Sequence, residues 1–124
     1  MSKCILVVDD EEDVRSIAQL ALEMKTNWTV LMVSSGREAL DVAAAEQPDA
    51  ILLDMMMPDM DGRMTLQQLK ANPATQTIPV ILVTAKAQTP DQSSFADLDL
   101  AAVFAKPFRP LQLADQISEA LGWS

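Results

Sequence analysis

A chain of 124 residues with 49% hydrophobic and 22% charged residues has the size and composition of one ordinary globular domain, which excludes a disordered or fibrous protein. Cys4 is the single cysteine, so no internal disulfide is possible and a reducing compartment, the cytoplasm, is expected. The formal net charge of -9, with nine Lys and Arg residues scattered without a run, sets the long-range field against nucleic acid. With no histidine in the chain, any chemistry must rest on carboxylates, a hydroxyl and lysine.

Short β-rich runs alternate five times with amphipathic helical patterns, the order of elements of a parallel sheet covered by helices. Cys4 to Val8 reads as the first strand, buried on both faces and ending at Asp9. Its apolar run, followed by the acids Asp9 to Asp13, is too short for a signal peptide or a membrane span. From Asp13 to about Met24 the spacing of Val14, Ile17, Ala18, Ala21 and Met24 predicts a helix with that stripe inward. Acids in its first turn favour the positive end of the helix dipole.

Thr29 to Val33 is the second strand, and Ser34-Ser35-Gly36 supplies cap-like residues for a helix reaching about Glu46, with Ala39, Leu40, Val42 and Ala43 inward. Pro48-Asp49 breaks that helix before the third strand, Ala50 to Leu53, which ends at Asp54. A loop from Met55 to Gly62 is punctuated by Pro58 and Gly62. Arg63 to Lys70 is helical, Asn72-Pro73 ends it, and Val80 to Val83 is a fourth strand closing on Thr84. A polar fourth helix over Pro90 to Leu98 precedes a fifth strand, Ala102 to Ala105, and Lys106-Pro107. Arg109-Pro110 opens a fifth helix whose inner stripe is Leu111, Leu113, Ala114, Ile117, Ala120 and Leu121, with Gly122 as the stop.

Sites in open α/β sheets lie beyond the carboxyl ends of the strands. That rule gathers Asp9 and Asp10, Asp54, Thr84 and Lys106 at one edge. Three carboxylates brought together are relieved by a raised pKa or a divalent cation, and an oxygen-only ligand set favours Mg²⁺. A carboxylate can attack phosphorus to give an aspartyl-phosphate when metal and cationic groups neutralise the phosphoryl charge. Asp10 and Asp54 are the metal ligands on this reading, Asp54 the nucleophile, Lys106 a point charge for a phosphate oxygen and Thr84 a hydroxyl donor.

Four motifs stand in order: Val8-Asp9-Asp10-Glu11-Glu12, then Leu53-Asp54-Met55-Met56-Met57-Pro58-Asp59-Met60-Asp61-Gly62, then Thr84-Ala85-Lys86, then Lys106-Pro107-Phe108. Together they resemble a two-component response regulator receiver domain of the stand-alone, chemotaxis type, over essentially the whole chain. The resemblance implies a doubly wound, five-stranded parallel sheet with five helices on its two faces, in the flavodoxin-like order 2-1-3-4-5 that chemotaxis receivers share. It implies one receiver domain over residues 1–124 without an output domain. It also implies Asp54 as phosphoacceptor, Asp10 as a direct Mg²⁺ ligand, Asp9 as one acting through water, the Met56 backbone carbonyl as another ligand, Lys106 as the phosphoryl contact and Thr84 as the switch hydroxyl. A cis peptide before Pro107 belongs to the same pattern.

The implied partners are a sensor histidine kinase or phosphotransfer protein upstream and, downstream, a protein bound by the face of the fourth helix, fifth strand and fifth helix. Neither nucleic acid nor membrane is an expected partner, and the chain is expected to be a monomer or a phosphorylation-dependent dimer. Its catalysis is confined to its own phosphorylation and dephosphorylation.

Two positions depart from the family pattern. Val103 stands where receivers carry Tyr or Phe three residues before the strand-five lysine, and alternation turns the neighbouring Phe104 to the opposite face as a core residue. Leu98-Asp99-Leu100 stands where a glycine commonly precedes strand five. Val103 opens the alternative of a receiver-like adaptor that ignores phosphorylation. An Mg²⁺-dependent phosphatase using the same carboxylates is a further rival, and the likeness of Asp59-Met60-Asp61 to the Asp-x-Asp motif of haloacid-dehalogenase-type phosphatases is weak because Asp59 does not follow a buried strand directly. A calcium loop fails, since aligning Gly62 with its invariant glycine puts Met57 and Gln68 at ligand positions. Met55, Met56, Met57, Met60 and Met64 read as flexible core filling rather than a copper site.

Overall fold

Residues 3–57, 60–84, 100–106 and 108–123 are described by the computed structural model. Their strands are β1 (Cys4–Val8), β2 (Thr29–Val33), β3 (Ala50–Asp54), β4 (Val80–Thr84) and β5 (Ala102–Ala105), and their helices α1 (Glu12–Lys25), α2 (Gly36–Glu46), α3 (Gly62–Ala71) and α4 (Pro110–Leu121). The strands form one sheet in the order β2-β1-β3-β4-β5, all parallel. The expected order 2-1-3-4-5 is therefore present, and α4 is the fifth of the predicted helices. The predicted helix over 90–98, the turn at Asp99 and the peptide before Pro107 lie outside the described residues.

Alternation along each strand divides the core into two layers. Leu6, Val8, Ile51, Leu53, Val80 and Leu82 pack with Ala39 and Ala43 of α2 and Leu66 and Leu69 of α3. Ile5, Val7, Leu52, Ile81 and Val83 turn the other way, onto Ala18 and Leu22 of α1 and Leu113, Ala114 and Ile117 of α4. Burial on both faces explains why these strands are continuous apolar runs. Val103 joins the first layer and Phe104 the second, as alternation requires.

The starts of α2 and α3 are capped by side chains. Ser35 Oγ accepts from Glu38 N at 3.2 Å, and the Glu38 carboxylate accepts from Ser34 Oγ at 2.7 Å, a reciprocal arrangement that fixes the start of α2. Two hydrogen bonds to Ser34, one from its side chain and one from its backbone, lower the Glu38 pKa. Asp61 caps α3 through Met64 N at 2.9 Å.

Three side-chain placements correct the sequence reading. Helical spacing puts Ile17 and Met24 inward, yet they are 46% and 66% exposed, while Leu22 is fully buried. The stripe facing the sheet is the one with Ala18, Ala21 and Leu22, and Ile17, Leu20 and Met24 form a second stripe of helical spacing that is left in solvent. Leu111, in the first turn of α4, is 68% exposed, and its backbone carbonyl accepts from Lys25 Nζ at 2.8 Å. Of the methionines, Met57 is buried and Met55 packs on the core, but Met56 and Met64 are exposed and fill nothing.

The correction at α4 has a measurable consequence. Leu113→Ala, at a fully buried position, should cost about 2–5 kcal/mol of stability. Leu111→Ala should stay within about 0.5 kcal/mol of the parent in the same urea titration. Equal losses would contradict the observed packing of this helix.

Candidate functional site

Parallel register brings the carboxyl ends of the central strands level: Val8 lies beside Leu53, Asp54 beside Val83, and Thr84 beside Ala105. The groups beyond these ends therefore share one edge. Asp9 follows β1, its amide donating to the Val33 carbonyl at 3.2 Å and its Oδ1 accepting from Glu11 N at 2.9 Å. Arg15, in the first turns of α1, reaches back to donate from Nη1 to the Asp9 carbonyl at 2.7 Å. Chain and side chain of Asp9 are thus both held.

Asp9 and Asp54 are buried and Asp10 is exposed, and one carboxylate oxygen of each lies within 4.8 Å of the others. Lys106 Nζ bridges two of them, at 3.2 Å from Asp9 Oδ2 and 3.3 Å from Asp54 Oδ1. Met56 N donates to the same Asp54 Oδ1 at 3.3 Å. Asp54 Oδ2 is buried and accepts no hydrogen bond from the described residues.

Burial raises the Asp54 pKa, and the neighbouring Asp9 charge adds to the rise, against the lowering effects of Lys106 and the Met56 amide. Burial works the other way on Lys106, but the Asp54 and Asp9 carboxylates outweigh it and its pKa is raised. One cation shared by two buried acids accounts for both directions: the lysine is held charged, while Asp54 remains only partly compensated.

Asp9, Asp10, Asp54 and Lys106 are therefore brought into mutual reach. Thr84 is buried at the end of β4, and its carbonyl accepts from Lys106 N at 3.1 Å, which ties the two strand ends together. The Met56 side chain points to solvent while its amide serves Asp54. Asp59, the first acid of the Asp-x-Asp likeness, lies outside the described residues.

A family model for the response regulator receiver domain matches residues 5–118. The chain belongs to that family. As a receiver it is 36% identical over 98% of its length to the alkaline phosphatase synthesis transcriptional regulatory protein PhoP of Bacillus subtilis, covering 49% of that protein. It is 32% identical, over the same share, to the phosphate regulon transcriptional regulatory protein PhoB of Pseudomonas aeruginosa, covering 52%. This receiver spans about half the length of the curated relatives it matches.

Among solved structures, the N-terminal domain of a response regulator receiver protein from Methanoculleus marisnigri JR1 superposes with TM-score 0.78 at 36% identity, each chain covered to 96%. The receiver domain of the sensor histidine kinase PA1611 from Pseudomonas aeruginosa PAO1 superposes with TM-score 0.85 at 25% identity, with 98% of this chain and 99% of that one covered. That structure has a magnesium ion coordinated in its active-site cleft. The protein is thus a response regulator receiver domain of two-component signalling. None of the described helices is long and apolar enough to cross a membrane.

Three residues reach the site in ways the sequence reading does not assign to them. Arg15 reads as one more charge on α1, and only the fold turns it onto the Asp9 carbonyl. Phe108, which enters the sequence reading only as the end of the Lys106-Pro107-Phe108 motif, borders the small space beneath Asp9 and Asp54. Gly62 reads as loop punctuation, although it lies against the Asp54 backbone.

Proposed function

We propose that Asp54 accepts a phosphoryl group from the phosphohistidine of a sensor kinase or phosphotransfer protein, or from a small phosphodonor. The buried Oδ2 of Asp54, without a hydrogen-bond donor among the described residues and beside two further carboxylates, carries this reading. A carboxylate oxygen of Asp54 forms the new bond to phosphorus as the donor's bond to phosphorus breaks, and the leaving group departs with that electron pair.

The donor set suits Mg²⁺. It offers oxygen ligands only, three close acids for one cation, and a buried oxygen whose desolvation a hard ion relieves. Asp10, Asp54 and the Met56 carbonyl would hold the ion, with Asp9 acting through water. When bound it supplies charge neutralisation on the phosphoryl oxygens. Lys106, already 3.3 Å from Asp54 Oδ1, is positioned to balance charge on the phosphoryl group, and the Thr84 hydroxyl would donate to it afterwards. The phosphorylated receiver then changes its affinity for a downstream protein through the face that includes β5 and α4. Residues 1–124 act as the receiver unit in this scheme.

Incubation with acetyl phosphate and Mg²⁺ should add one phosphoryl group, seen by intact mass and mapped to Asp54 after borohydride reduction. Modification at another acid, or none, defeats the assignment. A second reading, an adaptor indifferent to phosphorylation, is favoured by Val103, which packs in the α2–α3 layer as a small aliphatic where an aromatic switch is expected. Partner affinity that is the same with and without beryllofluoride would support it.

A further inference from the structure

The geometry points to Gly62 as a positioning residue for the Asp54 carboxylate, an inference that rests on the phosphoacceptor reading above. Gly62 is the buried first residue of α3, and its amide donates to the Met55 carbonyl at 2.9 Å. A Cβ at this position would lie 2.7 Å from the Asp54 carbonyl oxygen, 2.8 Å from Met55 Cα and 3.1 Å from Leu82 Cδ1, where ordinary contact begins at 3.4 Å. Two of these neighbours are backbone atoms and cannot rotate away. Gly62 is not among the residues with positive φ, so glycine is required here for space and not for conformational freedom.

The consequence falls on the site. Asp54 and Met55 are held from the β4 side by the bond from Met55 N to the Val83 carbonyl at 2.9 Å, and from the α3 side by Gly62. The next residue, Met56, supplies the amide that Asp54 Oδ1 accepts. Any side chain at position 62 pushes on the short segment that carries the acceptor, its amide donor and the proposed Met56 carbonyl ligand. Displacements below about 1 Å at reacting groups are enough to lower rates severalfold to about a hundredfold.

The test compares Gly62→Ala with Leu113→Ala, a destabilised variant on the far face of the sheet that does not touch this segment. At a temperature where both are folded by circular dichroism, Mg²⁺ affinity and the rate of phosphoryl uptake from acetyl phosphate at saturating Mg²⁺ are measured. Gly62→Ala should lose about tenfold or more in each, and Leu113→Ala should stay within about twofold of the parent. Gly62→Ala matching Leu113→Ala in both readouts overturns the proposal while leaving the acceptor reading intact.

A parent chain that takes up no phosphoryl group overturns both. Should Gly62→Ala not fold, amide hydrogen exchange on the parent decides. Adding Mg²⁺ and beryllofluoride should slow exchange at Gly62 together with Met56, and an unchanged Gly62 amide overturns the inference.

Discussion

Replacing Asp54 with Asn is expected to abolish phosphoryl uptake and, in metal-free buffer at neutral pH, to raise Tm. Asp54 is buried, and its pKa is raised by that burial and by Asp9. The folded state therefore holds this proton more tightly than the unfolded chain does. Between the ordinary value of 3.8 and the raised folded value, stability falls as pH increases, and above the folded value the whole penalty is present.

Asn removes the charge but keeps an oxygen that can accept from Met56 N and Lys106. The variant should therefore melt at a higher temperature than the parent at neutral pH. The difference from the parent should close as pH is lowered through the Asp54 titration. Free Mg²⁺ at about a hundred times its Kd should add about 2.7 kcal/mol to the parent, and much less to the variant. A variant less stable than the parent in EDTA at neutral pH would show that the Asp54 charge is better compensated than its surroundings indicate.

Lys106→Met should act in the opposite direction. It leaves Asp9 and Asp54 facing each other without the ammonium that lies within 3.3 Å of both. Removing one partner of a fully buried pair costs about 3–5 kcal/mol, and with the lysine side chain 20% exposed a loss of about 2–3 kcal/mol is expected at neutral pH. The sign is set by the raised Lys106 pKa: its stabilisation is fully present below the unfolded value of 10.5 and is lost as pH rises through the folded value.

In the variant, lowering the pH should recover stability as Asp54 takes a proton. Phosphoryl uptake should fall by about a hundredfold, because a preorganised charge at the developing phosphoryl oxygens is gone. The double variant Asp54→Asn, Lys106→Met should lose less stability than the two single effects added together, since the groups share one network. Strict additivity in a thermal or urea series would argue against that coupling.

The five strands, their parallel pairing and the edge where the acids gather are all legible in the sequence. Strands buried on both faces must be continuous apolar runs, and an acid directly after Ile51-Leu52-Leu53 must emerge at a strand end. Asp9, Asp54 and Lys106 follow from the same logic, each being the polar residue at which an apolar run stops. Cap chemistry locates the start of α2 because Ser35 and Glu38 act locally, within one turn of each other.

What sequence periodicity leaves open is decided by neighbours. α1 carries two apolar stripes of helical spacing, and the one built on Ala18 and Ala21 faces the core, leaving Ile17 and Met24 outside. Leu111 has the right spacing for the core but sits at the exposed end of α4, held by Lys25 from another helix. Arg15 and Gly62 join the site by reaching Asp9 and Asp54 across a turn and a loop whose paths no periodicity encodes. The sequence by itself determined the strands, the edge at which they end and the charged groups there, because each depends on where an apolar run ends. Tertiary structure alone decided which helix stripe is buried, which carboxylates share one lysine and why residue 62 must be glycine, because those depend on distances between segments packed in three dimensions.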